Sequence, residues 1–375
     1  MSQWLIVGAG LTGATLAERI ATVRGDDVLV VDRRDHVAGN AYDYTNDDGI
    51  RVHKYGPHIF HTNSDKVWSY VNRFSEWRPY EHRVKAVLDG IEVVVPFNFN
   101  SIETVFPPGR ASRYIEQLTR LVPRGQSIPI LTLMETDNAD LRSLAAFVYE
   151  NVFKNYTRKQ WGLRPEELSP SVTARVPIRA SRDDRYFQDS FQGIPARGYT
   201  AMVSRMLDHP RIRVSLDTKY EDVAGDFPTS RTIYSGATDE FFSRRLGALP
   251  YRSLNFRFET LNLEQRQSVA QLNFPNAQDY TRITEFKHLT GQSSSKTTVA
   301  YEFPTTYVPG ENEPYYPIPR DETNALYARY RTLADATDGI TFCGRLGNYR
   351  YYNMDQAIGA ALVAFEKQIK NKESA

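Results

Sequence analysis

The sequence predicts an α/β fold: a doubly wound core interrupted by a helical domain and by an antiparallel β-sheet domain. Three observations carry that reading. The first forty residues run apolar strand, glycine turn, helix, apolar strand, carboxylate. Residues 84–95 switch to paired strands about a two-residue turn. From Leu141 to Val152, apolar residues recur at spacings of three and four.

The opening strand is Trp4-Leu5-Ile6-Val7, followed by Gly8-Ala9-Gly10-Leu11-Thr12-Gly13, a helix over Ala14–Ile20, and a strand Val28–Val31 ending at Asp32. This order is the dinucleotide-binding fingerprint of a Rossmann-like domain. Gly8 permits the tight turn, Gly10 lets a pyrophosphate approach the backbone, and Gly13 lets helix and strand pack closely. Asp32 can accept a ribose hydroxyl, and the phosphates would lie at the helix N-terminus. Three glycines alone can simply make a turn; two strands and an acid in register make the signal specific. Simple nicotinamide-binding chains usually proceed from here to another helix. This chain instead enters a glycine-containing loop, Arg33 to Tyr42, which points to FAD.

Further along, His53, His58 and His61 lie among aromatics. His58 and His61 invite comparison with zinc ligands, yet no third or fourth ligand and no cysteine pair stand nearby, so no metal is expected. A turn with hydrogen-bonded histidines is the plain alternative. Val84–Leu88 and Ile91–Val95 flank Asp89-Gly90, a pair suited to a type I′ hairpin. Pro107-Pro108-Gly109 breaks the chain, a helix is expected over Ser112–Leu121, and the stripe Leu141, Leu144, Val148, Val152 buries one face of a longer helix. Thr200–Leu207 suits a helix and Thr232–Gly236 a buried strand with a glycine turn. Alternation then returns at Leu254, Phe256, Phe258 and at Val299, Tyr301, Phe303. Ile340–Phe342 is a short strand, and Ala357, Ile358, Ala361, Leu362, Phe365 and Ile369 stripe a last helix. The expected domains are 1–79, 196–243 and 318–375 for the FAD-binding domain, 97–187 for the helical domain, and 80–96, 188–195 and 244–317 for the sheet domain.

With 375 residues, 41% hydrophobic, the chain can bury two or three cores. A net charge of +1 creates no field for nucleic acid or anionic membrane, so neither is expected as a partner. The single cysteine, Cys343, excludes an internal disulfide framework and suits a reducing compartment. No apolar run approaches bilayer length and no signal segment precedes the first strand, so a cytoplasmic location is expected.

Several ordered blocks resemble the bacterial UDP-galactopyranose mutase family. They are the glycine fingerprint, Tyr55–Thr62, Lys159-Gln160-Trp161-Gly162, Gln192–Pro195, Tyr280-Thr281-Arg282, Pro314–Pro317 and Gly344–Gly347. The resemblance runs nearly end to end. It implies FAD, active when reduced, and a homodimer. It also implies non-redox ring contraction between UDP-galactopyranose and UDP-galactofuranose, with flavin N5 attacking the anomeric carbon. By family position, Tyr156 and Trp161 hold uridine, an aromatic stack worth about 1–3 kcal/mol, and Phe153 belongs to the substrate set. Arg175 and Arg282 grip the diphosphate, and Tyr186, Tyr316 and Tyr351 supply hydroxyls beside it. Asn273 and His82 complete the substrate set. The cofactor set is Gly8, Gly10, Gly13, Asp32, Arg33, Gly39, Asn40, His58, Ile59, Arg345, Asn353 and Met354. His58, Arg175 and Arg282 are the implied catalytic residues, His58 near the flavin. Without the family, Trp161 would simply cap the helical core, and the arginines would be surface charges.

Three positions depart from the family pattern. His82 stands where an asparagine faces the sugar, Asn353 replaces an aspartate, and Ala38 replaces a glycine. The first two leave open a mutase for a related UDP-sugar, such as UDP-N-acetylgalactosamine. An amine-oxidase type flavoenzyme and a catalytically silent binder of FAD or a UDP-sugar are also compatible with an FAD fold; the paired arginines argue against the oxidase.

Overall fold

A computed structural model describes residues 3–168, 177–227, 231–318 and 320–371. Contacts divide the chain into two units, residues 1–80, 189–251 and 322–375 in the first and residues 81–188 and 252–321 in the second.

The first unit is built on a parallel sheet of five strands in the order Ile212–Ser215, Asp27–Val31, Gln3–Val7, Thr232–Tyr234, Ile340–Phe342. Trp4, Leu5 and Ile6 are all fully buried, which is why the central strand reads as a continuous apolar run. The first helix begins at Leu11, three residues before the expected start, because Gly10 already serves as its N-cap. It spans Leu11–Arg19, widens over Ile20–Arg24 and stops at Gly25, whose φ of 71° suits a glycine. The last helix, Met354–Ala364, packs Ile358, Ala361 and Leu362 into the same core as Ala14, Leu16 and Ala17.

A second small sheet in this unit runs Phe60–Thr62, Phe191–Pro195, Trp77–Pro79. Its middle strand corrects the expectation that residues 188–195 belong to the sheet domain. Phe191–Pro195 is too short to show which sheet it joins, and Gly193 decides the matter: a Cβ there would lie 2.9 Å from the Arg78 carbonyl oxygen. Strand Ile212–Ser215 is a further element that no sequence signal marks.

The second unit carries a seven-stranded sheet in the order Tyr316–Pro317, Tyr251–Leu261, Thr297–Thr306, Arg282–Glu285, Gln271–Asn273, Val84–Leu88, Ile91–Val95. It is mixed rather than wholly antiparallel, because Gln271–Asn273 runs parallel to Val84–Ala86. Asp89 and Gly90 have φ of 47° and 85°, as a type I′ turn requires. Phe256 and Phe258 are half-buried between exposed Asn255, Arg257 and Glu259, so one face of that strand is covered. On Thr297–Thr306, by contrast, Val299, Ala300, Tyr301 and Glu302 are all buried.

Among the described residues, the helical segment shares its core with the hairpin. Val84, Ala86, Val93 and Val95 of the hairpin share one cluster with Ile102, Leu118, Leu141, Leu144 and Val148. Helix Pro108–Leu121 starts four residues earlier than expected, with Pro108 in its first turn. The striped helix spans Ala139–Val148, widens over Tyr149–Lys154 and resumes as Asn155–Trp161. Gly162, at φ 67°, ends it.

Candidate functional site

In the first unit the glycine turn is shaped by close backbone approach. Gly8 has φ of 106°, and a Cβ there would fall 2.1 Å from the Ser235 hydroxyl. A Cβ on Gly13 would fall 1.9 Å from the Gly8 carbonyl oxygen. Gly39 faces Gly10, and a Cβ on Gly39 would lie 3.0 Å from the Gly10 Cα. No side chain caps the helix that starts at Leu11, so its first amides are available to an anion. The Asp32 carboxylate accepts the Ala9 N–H at 2.8 Å and the Arg34 N–H at 3.0 Å, which fixes it beside the turn. Each oxygen retains a lone pair for a hydroxyl.

Around this turn, Asn40 accepts from Arg34 at 3.0 Å, and Arg33 lies 3.5 Å from Glu240. Ala38 takes φ of 73°, a conformation in which the glycine of the family pattern would be unstrained. Arg345 stands over the Tyr351 ring at 5.1 Å, so Tyr351 belongs to the first unit. Asn353 is the N-cap of the last helix, with its N–H bonded to Gln356 at 3.0 Å, and Met354 is the first helical residue.

The histidines form a hydrogen-bonded group. His58 Nδ1 donates to the Gly56 carbonyl at 2.8 Å, so in the neutral ring Nε2 carries the lone pair. Its backbone N–H donates to His53 Nδ1 at 3.0 Å, which requires His53 to be neutral at that nitrogen. Ile59 follows, half-buried, and leads into Phe60. His61 Nδ1 lies 3.0 Å from Asp189. His53 is fully buried, and burial, helped by Arg51, pushes its pKa down to about 3. The unfolded chain therefore binds more protons than the folded one between about pH 3 and the ordinary imidazole value. Stability is full above that value and is lost as pH falls, by up to about 1.4 kcal/mol per pH unit. Urea unfolding at pH 7, 6 and 5 should show this decline, and His53→Asn, which keeps an acceptor but cannot titrate, should flatten it.

In the second unit the sheet brings several predicted residues together. Arg282 pairs across the strands with Asn273 on one side and Glu302 on the other. Its Nε donates to Glu302 at 2.7 Å and a terminal nitrogen lies 2.6 Å from the same oxygen. The Glu302 side chain is 2% exposed and that of Arg282 19%, so the guanidinium keeps an outward edge. Burial alone would push Arg282 down. Glu302 first, then the neighbouring Tyr156 and Tyr316 hydroxyls, outweigh it and hold the cation well above its ordinary value. Burial pushes the Glu302 carboxyl up, opposed by Arg282. The Trp161 and Tyr316 rings are 6.0 Å apart. Phe153 is buried in the core that the helical segment shares with the hairpin. Asn273 accepts from Gln271 at 2.9 Å.

His82 is buried against Tyr186, whose N–H donates to the His82 carbonyl at 2.7 Å. The His82 ring meets Tyr186 edge-on at 5.8 Å and stacks on Phe187 at 6.0 Å. Arg175 lies outside the described residues. Sequence reasoning missed Glu302 and Arg252. An acid at alternating spacing on a strand resembles a solvated residue, and only the burial of both strand faces reveals Glu302 as a counter-ion.

A model of the UDP-galactopyranose mutase family matches residues 151–351, and a model of an NAD(P)-binding Rossmann-like domain matches residues 6–74. A probable UDP-galactopyranose mutase of Klebsiella pneumoniae is 38% identical over 98% of this chain and 96% of its own. The dTDP-fucopyranose mutase of Escherichia coli is 33% identical over 100% of both. A solved structure of reduced UDP-galactopyranose mutase shares the fold, with a TM-score of 0.72 at 15% identity, covering 100% of this chain and 97% of that one. With the family matched over more than half its length and 38% identity sustained from end to end, the chain belongs to the UDP-galactopyranose mutase family.

Proposed function

We propose that this protein is an isomerase that binds FAD and interconverts UDP-galactopyranose and UDP-galactofuranose. The observation that carries the reading is Arg282: a guanidinium held charged by a buried carboxylate, with Tyr156 and Tyr316 beside it and Trp161 against Tyr316. A diphosphate with a flat base attached is the chemistry that such a cluster recognises.

FAD fits the first unit. Gly10 and Gly39 let the glycine turn and the loop after Asp32 approach closely, and the uncapped helix at Leu11 offers amides to a pyrophosphate. Gly8, Gly10, Gly13, Asp32, Arg33, Gly39 and Asn40 would hold the dinucleotide. His58, Ile59, Arg345, Asn353 and Met354 would stand about its flavin. When bound and reduced, this cofactor supplies an electron-rich N5 for the anomeric carbon of the sugar.

The chain's own residues bind and orient. Arg282, with Arg175, neutralises the charge that grows on the departing diphosphate, and the retained UDP makes its return intramolecular. Trp161 and Tyr156 hold the uridine, while Tyr186 and Tyr316 donate hydroxyls to the phosphates. His58, with the proton on Nδ1, presents a lone pair at Nε2 that can take and return a proton from a sugar hydroxyl.

A mutase for a related nucleotide sugar is the second reading, favoured by His82 beside Tyr186 and by the dTDP-fucopyranose relative. One assay separates the two: protein with UDP-galactofuranose, UDP-N-acetylgalactofuranosamine or dTDP-fucofuranose, with and without dithionite, and chromatography of the products. UDP-galactopyranose formed only under reduction, and fastest of the three, is expected. No conversion of UDP-galactofuranose by the reduced protein overturns the proposal.

A further inference from the structure

Arg252 is buried, 8% exposed, on the strand Tyr251–Leu261. Its side chain reaches the end of helix Asn155–Trp161, where Nε donates to the Gln160 carbonyl at 3.0 Å and one terminal nitrogen to the Lys159 carbonyl at 3.4 Å. The other terminal nitrogen reaches the Thr306 hydroxyl at 3.4 Å. The last carbonyls of a helix lack partners within the helix and carry partial negative charge, so a guanidinium there satisfies both needs. The fit is close, since a Cβ on Gly162 would lie 3.1 Å from the Arg252 guanidinium. Lys159 makes a second strut from the same helix end, its Nζ donating to the Phe274 carbonyl at 2.8 Å.

The main chain of Arg252 holds a second segment in place. Its carbonyl accepts the Tyr315 N–H at 2.9 Å, which anchors the stretch carrying Tyr316. One residue therefore braces both Trp161 and Tyr316, whose tilted rings lie 6.0 Å apart.

We propose that Arg252 is a positioning residue for the nucleotide: it fixes the helix end bearing Trp161 against the Tyr316 segment so that the two rings hold the base and first phosphate of the substrate. This rests on the reading that Trp161 and Tyr316 contact the nucleotide. Arg252 touches neither substrate nor cofactor, so its loss acts on affinity rather than on chemistry. Lysine at this position can satisfy one carbonyl but not the fork of three acceptors.

The test measures UDP affinity by isothermal titration calorimetry, and KM and kcat for UDP-galactofuranose, in reduced holoenzyme of wild type, Arg252→Ala, Arg252→Lys, Gly162→Ala and Trp161→Ala. In Arg252→Ala, the UDP Kd and the KM are expected to rise about tenfold or more, with kcat within about threefold and flavin content unchanged. Arg252→Lys should recover part of the affinity. Gly162→Ala, which presses a methyl group on the guanidinium, should raise the KM in the same direction, and it carries the test if Arg252→Ala does not fold. Unchanged UDP affinity in folded Arg252→Ala or, failing that, in Gly162→Ala overturns the inference. So does a loss confined to kcat. If Trp161→Ala also leaves UDP affinity unchanged, the assignment of the nucleotide site fails; if Trp161→Ala weakens UDP and the other variants do not, only the role of Arg252 fails.

Discussion

Arg282→Ala is expected to lower kcat/KM for UDP-galactofuranose by between about thirtyfold and several thousandfold, while the purified protein stays yellow. Truncating one partner of a buried, hydrogen-bonded charge pair costs about 2–5 kcal/mol, and each 1.4 kcal/mol is about tenfold. Here two losses add. The diphosphate loses a cation, and Glu302, with its side chain 2% exposed, becomes a buried carboxylate with no counter-charge. The second loss separates from the first by a further substitution. Glu302→Gln in the Arg282→Ala background removes the orphaned charge, so it should restore thermal stability and leave activity low. Wild-type turnover in Arg282→Ala would remove this residue from the substrate site.

Gly13→Ala is expected to abolish most cofactor binding. The added Cβ would lie 1.9 Å from the Gly8 carbonyl oxygen and 3.2 Å from an Ile6 methyl group. What must move is backbone, so the helix and the turn that form the cradle would separate. Overpacking of this kind costs about 1–3 kcal/mol, and more where the chain cannot yield. The purified variant should have lost most of its flavin absorbance and should melt at a lower temperature. Gly25→Ala is the control, because its Cβ would meet nothing within 4 Å and only its φ of 71° is strained. It should cost about 1 kcal/mol and keep its colour. A fully yellow Gly13→Ala with unchanged melting would mean that this turn does not hold the cofactor.

The parts of the fold legible in the sequence are those where one local rule dominates. The strand–glycine–helix order located Gln3–Val7, Leu11–Arg19 and Asp27–Val31 because burial on both faces of a parallel strand leaves an unbroken apolar run. The hairpin about Asp89-Gly90 was legible to the residue, because only a turn with two positive φ values suits that pair. Ile212–Ser215 was not legible, because it is an edge strand with exposed Arg213 and Val214, and nothing in its pattern demands a sheet. The parallel pairing of Gln271–Asn273 with Val84–Ala86 joins residues far apart in sequence, a relation that no periodicity records.

The site divides in the same way. Glycines declare themselves, because their positions follow from steric exclusion along a short segment. Arg282 and Tyr316 were legible only through the family resemblance. An arginine near a tyrosine is commonplace on a surface, and the counter-ion that distinguishes Arg282 lies on another strand. Arg252 was invisible for a similar reason: its partners are the backbone carbonyls of Lys159 and Gln160, which carry no sequence signature.

The central claim is that the sugar nucleotide rearranges with no net oxidation, the chain serving to hold UDP while the hexose changes ring form. Anaerobic turnover of the reduced holoenzyme with excess UDP-galactofuranose measures this directly, with product and visible spectrum followed together. Many molecules of UDP-galactopyranose per reduced cofactor, with the spectrum still that of reduced flavin at the end, are predicted. A single product per cofactor, or reoxidation of the flavin in step with product, would contradict the account.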